Sequence, residues 1–308
     1  MAVLLVTEWE DAGEWRERLA AIDPAIELRV WPDIGAAADI VLMAADMLPE
    51  GVFAGLPNLK CVQFLGHGAA HVIDHAERPA HVAVARLTDP GIIRSVTEHA
   101  LALLLSQRRF LAVYDAQQRE RLWRHYASGD PSQTCVAVLG LGSIGTRIAE
   151  ALVGLEYRTV GWALGPHRIA GVECRHGADA LDVVLGDADY VISVLPGTKA
   201  TAGLLGVRAL AAMKRGAYFI NVGRGLTVDE DALIAALDRD ALSGVALDVF
   251  QTEPLAAGSP LWDHPKARVT PHAAGGRAAA SIESIAENHR RAAAGEPLIN
   301  IADPDKGY

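Results

Sequence analysis

Short apolar runs, separated by turn-rich or helix-patterned stretches, recur along the whole chain. Runs at 2–6, 26–30, 40–43, 61–65 and 82–85 have the length and the β-branched content of buried strands. Five such strands alternating with helical segments predict a small parallel α/β domain, flavodoxin-like in type. Ser95-Val-Thr-Glu98 has the capping-box pattern and predicts the start of a long helix that runs past Tyr114 and leaves this domain. After a linker, Ser128-Gly-Asp-Pro-Ser132, strands are expected near 135–139, 158–163, 190–194, 217–222, 244–249 and 268–270, with helices between most of them. Six strands in two βαβαβ halves form a doubly wound, dinucleotide-binding sheet. A last helix from about 277 to 294, carrying Ile282, Ile285 and Ala286, returns to the first domain. The predicted organisation is α/β, two doubly wound parallel sheets: residues 1–94 with 277–308, and between them an inserted Rossmann domain, 95–276.

The second domain is organised around residues 136–150. Val136 to Leu139 read as a strand, and Ile148, Leu152 and Leu155 as the apolar face of the next helix. Between them lies G-x-G-x-x-G. Gly140 allows a tight turn, Gly142 lets a pyrophosphate approach the backbone, and Gly145 lets helix and strand pack closely. The N–H groups at the helix start, those of Ser143 and Ile144 included, then face an anion.

Composition narrows the functions this fold can serve. At 308 residues two cores are expected, and 51% hydrophobic against 21% charged residues leaves no disordered tract. A net charge of −10 argues against nucleic acid and anionic membranes as partners. The start of the chain lacks a basic leader and reaches Glu8 quickly, and no apolar run approaches ~18 residues, so a soluble, cytoplasmic protein is expected. Cys61, Cys135 and Cys174 are scattered in or near apolar segments, as reduced core thiols are. His67, His71 and His75 recur every fourth residue, yet no Cys or paired carboxylate joins them, and no metal site is predicted.

Ligands of an open α/β sheet bind beyond the carboxyl ends of its strands, so chemistry is sought there. Strand 217–222 is followed by Gly223-Arg224-Gly225, strand 244–249 by Gln251-Thr-Glu253-Pro254, and strand 268–270 by Pro271-His272. An Arg between glycines suits bidentate binding of a carboxylate. A His with a Glu partner is a general acid, its tautomer fixed by the hydrogen bond and its charged form favoured by the carboxylate. This set fits carbonyl reduction by a nicotinamide: hydride goes to the carbonyl carbon, His272 protonates the oxygen, and Arg224 holds the substrate's carboxylate. A Ser-His-Asp hydrolase fits poorly, because G-x-S-x-G is absent and Ser143 lies inside the glycine loop. In the first domain, Gly66-His67-Gly68 comes directly after a strand, and its N–H groups suit a second contact to the same carboxylate.

With these motifs in place, the sequence resembles the D-isomer-specific 2-hydroxyacid dehydrogenases over nearly its whole length, most closely the glyoxylate/hydroxypyruvate reductase A type. The resemblance rests on the loop Gly140 to Gly145, Val194-Leu-Pro-Gly-Thr-Lys-Ala-Thr201, Asn221-Val-Gly-Arg-Gly225, Ala246-Leu-Asp-Val-Phe-Gln-Thr-Glu-Pro-Leu255 and Thr270-Pro-His-Ala-Ala-Gly275. It implies that Arg224, Glu253 and His272 are the catalytic triad and that Asp248 contacts the nicotinamide carboxamide. It also implies that Leu195, Pro196 and Val222 flank the cofactor, and that Gly66, His67 and Gly68 bind the substrate carboxylate. Reduction of a small 2-oxo acid to a D-2-hydroxy acid by a homodimer is the implied activity, with a Trp from the region of Trp123 in some relatives reaching the partner's pocket. Ala44, placed in the loop after strand 40–43, stands where those relatives carry an aromatic. The competing class on the same fold is a dinucleotide-sensing, corepressor-like binding protein, which turnover alone separates from a reductase.

The choice of cofactor is read from the residues after the second strand of the inserted domain. An Asp or Glu about 20 residues beyond the glycine loop would bind the adenine ribose hydroxyls and repel a 2′-phosphate. Here the strand runs into Leu164-Gly-Pro-His-Arg168, with no acid before Glu173. His167 and Arg168 offer donors and positive charge instead, so NADP(H) is favoured and NAD(H) remains usable.

Overall fold

In the computed structural model, residues 1–8, 10–66, 69–86, 90–275 and 282–303 are described. They form two compact units, Met1–Ile92 with Gly275–Tyr308, and Ile93–Ala274.

The first unit contains β1 (Ala2–Val6), α1 (Ala12–Ile22), β2 (Glu27–Val30), β3 (Ile40–Ala45), β4 (Cys61–Phe64), the short α2 (Ala70–Ile73) and β5 (Ala83–Ala85). Its sheet is parallel, in the order β2-β1-β3-β4-β5. All residues of β1, β3 and β4 are buried, as in a sheet covered on both faces; the one polar side chain among them, Gln63, accepts from Asn288 Nδ2. Ala44 lies within β3 and is fully buried, not in the loop after it, because pairing with β1 and β4 extends the strand to Ala45.

The second unit begins within α3 (Pro90–Arg108) and continues through α4 (Leu111–Glu120), β6 (Cys135–Leu139), α5 (Ser143–Gly154), β7 (Arg158–Ala163), β8 (Glu173–His176), α6 (Ala178–Asp187) and β9 (Tyr190–Ser193). Beyond these lie α7 (Val207–Ala212), β10 (Ala217–Asn221), α8 (Glu230–Asp238), β11 (Leu242–Leu247) and β12 (Ala267–Val269); α9 (Ile282–Ala294) belongs to the first unit. The sheet has the order β12-β11-β10-β9-β6-β7-β8, parallel throughout, so its strand order reverses between β6 and β9. A cluster of Leu139, Trp162, Leu185, Val191, Phe219, Leu237 and Leu247, with their neighbours, packs one face of this sheet.

Three further sequence expectations are corrected. The sheet has seven strands among the described residues rather than six, because Glu173–His176 pairs with β7 as an edge strand. The long helix begins at Pro90, a residue suited to a first helical turn, so Ser95 is interior and caps nothing; it is then interrupted at Phe110, whose φ of 57° separates α3 from α4. Leu155 closes α5 as its C-cap and is largely exposed, while Ile148, Ala149 and Leu152 form the buried face.

Candidate active site

The glycine loop connects the central strand β6 to α5. Gly140 has φ +95°, and its N–H donates to Trp162 O of β7 at 2.8 Å. A Cβ on Gly145 would lie 1.7 Å from Gly140 O, so no other residue lets α5 approach the loop this closely. A Cβ on Gly142 would meet nothing within 4 Å, so the backbone there is open to a ligand. Gly142 supplies no side-chain cap to α5. The helical ladder opens with Thr146 N donating to Gly142 O at 2.9 Å, which places the N–H groups of Ile144 and Gly145 ahead of it. An open backbone at a helix N-terminus is a cradle for a phosphate, and the loop fits a dinucleotide.

The neighbouring strand ends are locked to this loop by further glycines. A Cβ on Gly223 would sit 2.7 Å from Leu195 N, and one on Gly225 would sit 1.8 Å from the carbonyl carbon of Phe250. The two glycines that flank Arg224 therefore let its loop touch the backbones after β9 and β11. Leu195 and Val222 are buried and Pro196 half-buried, with Val222 N donating to Ser193 O at 3.0 Å. The buried Asn221, whose role no short-range pattern announced, holds both sides of the turn: its Nδ2 donates to Arg224 O (3.2 Å) and its Oδ1 accepts from Gly223 N (3.1 Å). Thr227 Oγ1 donates to the same carbonyl at 2.7 Å.

Arg224 is half-buried, and its Nη1 donates to Gly223 O at 2.7 Å. Burial pushes the guanidinium below its ordinary proton affinity, with Glu253 opposing, yet an arginine stays charged. Its charge is thus under-compensated, the condition that a bound carboxylate relieves. Glu253 Oε2 lies 2.6 Å from His272 Nδ1, and Oε1 accepts from Phe250 N at 2.9 Å. Burial acts to raise the Glu253 carboxyl, but the His272 hydrogen bond and charge, the Phe250 N–H and Arg224 together bring it below the usual carboxylate range. An ionised carboxylate only accepts, so Nδ1 carries a hydrogen, and Nε2 is the ring nitrogen left outside this contact.

Asp248 is fully buried, and its carboxylate is engaged within the protein. Oδ1 accepts from Thr270 Oγ1 (2.5 Å) and Ala273 N (2.9 Å), and Oδ2 from Ala274 N (3.0 Å). Its backbone oxygen takes His272 N at 2.8 Å. His167 and Arg168 are exposed in the loop after β7, where His167 Nδ1 is 3.0 Å from Gly165 O. Gly66 comes after β4 in the first unit; His67 and Gly68 lie outside the described residues. No group of three His, Cys, Asp or Glu side chains among the described residues is placed to hold a metal ion, and no described helix is long and apolar enough to cross a membrane.

Residues 101–274 match the family model for the D-isomer specific 2-hydroxyacid dehydrogenase, NAD binding domain. The chain belongs to this family. It is 31% identical over 315 residues to a glyoxylate/hydroxypyruvate reductase A of Photorhabdus laumondii, with both chains fully covered. It is also similar to a D-isomer specific 2-hydroxyacid dehydrogenase of Xanthobacter autotrophicus solved with NADPH and MES, with TM-score 0.92 and 35% identity over 100% of this chain and 99% of that one. A NADPH-dependent glyoxylate/hydroxypyruvate reductase of Sinorhizobium meliloti, solved with NADP and sulfate, gives TM-score 0.91 and 28% identity with both chains fully covered. The protein is an NAD(P)-dependent 2-hydroxyacid dehydrogenase with a Rossmann cofactor domain.

Proposed function

We propose that the protein reduces a small 2-oxo acid to the D-2-hydroxy acid with NADPH, His272 serving as general acid and Arg224 as the substrate anchor. The observation that carries this reading is the 2.6 Å contact between His272 Nδ1 and an ionised Glu253. It leaves Nε2 to give a proton to a developing alkoxide, while Glu253 stabilises the charged ring beforehand. Arg224 has an under-compensated charge and takes the carboxylate, which orients the carbonyl. The bound dihydronicotinamide supplies the hydride. The residues that would hold this cofactor are Gly140, Gly142, Ser143, Ile144 and Gly145 at the pyrophosphate, Leu195, Pro196 and Val222 along the strand ends, and Asp248 beside the carboxamide.

Preference for NADPH is supported by the sheet register. Glu173 pairs with Val160, three residues before the end of β7, and its carboxylate is taken by Arg175. The ribose position expected beyond Ala163 thus receives no carboxylate from Glu173, and the exposed His167 and Arg168 of the following loop are the groups that would meet a 2′-phosphate. The relatives with NADPH or NADP bound agree with this choice. We also propose a homodimer: Trp123, fully exposed beside the exposed Leu122, is the side chain best placed to be covered by a second copy.

Steady-state assays with glyoxylate, hydroxypyruvate and phenylpyruvate against both cofactors test the reading. A kcat/KM ratio for NADPH over NADH above one is expected, reduced in Arg168→Ala. Tight NADPH binding without reduction of any 2-oxo acid would instead favour a sensor.

A further inference from the structure

Two side chains of α3 face the segment that carries His272. Ser95 Oγ donates to Ala274 O at 2.8 Å. His99, one helical turn on and therefore on the same face, places Nε2 3.2 Å from Thr270 Oγ1 and 3.4 Å from Asp248 Oδ1. Thr270 has a single hydroxyl hydrogen, and it is donated to Asp248 Oδ1. Towards His99 the Thr270 oxygen can therefore only accept, and Nε2 must bear a hydrogen. An Nε2 lone pair in that position would face two acceptor oxygens. The result is a directed chain, His99 to Thr270 to Asp248.

Asp248 is the point from which residues 270–274 hang. Its carboxylate takes the Thr270 hydroxyl and the amides of Ala273 and Ala274, and its carbonyl takes the amide of His272. Between these bonds His272 is held at φ +51°, in the left-handed region that few residues other than glycine occupy. Should the carboxylate turn, both alanine amides lose their acceptor, and the backbone directly after His272 loses its anchor.

We propose that His99 is a positioning residue for the reaction: through Thr270 it fixes the rotation of the Asp248 carboxylate, and through Asp248 the backbone that aims His272. This rests on the reading of His272 as the general acid. It gives a task to a histidine that the family motifs quoted above leave aside, and to Ser95, which braces the far end of the same segment.

The test uses the full chain carrying His99→Ala, His99→Gln, Thr270→Val or Thr270→Ser. His99→Ala and Thr270→Val should lower kcat by about tenfold or more with KM for the 2-oxo acid and for NADPH within about twofold, because placement and not binding is lost. Thr270→Ser and His99→Gln keep a hydroxyl and an N–H donor, and should recover activity to within about threefold. Hydrogen exchange at the amides of Ala273 and Ala274, measured without substrate, should quicken about tenfold in the first pair and stay near wild type in the second. Unchanged kcat, unchanged exchange, or rescue variants as poor as Ala and Val would each overturn the proposal, as would protection lost across the whole unit. The exchange measurement needs no turnover. Quickened exchange in a protein that reduces no 2-oxo acid would keep His99 as the support of the 270–274 segment and overturn the reductase reading alone.

Discussion

Glu253 is pulled both ways, and the outcome sets the polarity of the His272 ring. Burial alone would favour a neutral carboxyl unable to hold the imidazolium, whereas the neighbouring donors and charges keep it ionised. His272→Ala should lower kcat by about 10²-fold or more, with a smaller change in KM, since proton delivery is lost while Arg224 still binds. Glu253→Gln should lower kcat as well, because a neutral amide no longer stabilises the charged ring; equal activity in this variant would contradict the mechanism. Stability carries the same signature. A carboxyl whose folded proton affinity lies below its ordinary 4.5 contributes stability that is present above that value and lost as pH falls through the lower, folded one. The gap in Tm between wild type and Glu253→Gln should therefore close on acidification below about 4.5.

At the scale of elements, the strand-end loops were legible because chemistry dictates their residues. The run Asn221 to Gly225 displayed Arg224 between glycines, and the structure adds why both glycines are required: each faces the backbone of a neighbouring loop. Gly225→Ala should cost about 3 kcal/mol or more, a drop in Tm of roughly 6–12 °C, because the obstacle is the Phe250 carbonyl and not a movable side chain. Gly142→Ala meets no protein atom, and should leave Tm unchanged while raising KM for NADPH. β8 was not legible. Glu-Cys-Arg-His has no apolar alternation, since an edge strand buries little and is held by pairing with β7 and by the Glu173–Arg175 ion pair. The start of α3 is obscured for a related reason: Ser95 and Glu98 imitate a cap at the right spacing, whereas Ser95 serves the Ala274 carbonyl instead. Asn221 and Thr270 stand in recognisable motifs, but their hydrogen-bonding tasks were not legible, and His99 carried no signal at all, because its partners lie about 150 residues or more along the chain.

For the molecule as a whole, the apolar runs counted out the five strands of the first sheet and six of the seven in the second, which is what separates the chain into two sheets. Oligomeric state is the property that pattern left most open. Leu111, Val113, Leu122 and Trp123 are all exposed on α4 and the segment after it, more apolar surface than a short charged stretch usually presents to water. Sedimentation at micromolar concentration should give a dimer, and Trp123→Ala should shift it towards monomer; a wild-type monomer at that concentration would exclude the assembly.

The three cysteines make the protein a convenient substrate for covalent labelling. Burial pushes the Cys61 thiol up to about 12 and the Cys135 thiol to about 11, so both stay protonated at neutral pH. Cys174 is half-buried, on the outermost strand of its sheet and in register with Gly161 of β7. A maleimide dye would therefore enter at a single point, one strand from the proposed adenine ribose, and its emission would report nucleotide arrival with no engineered thiol.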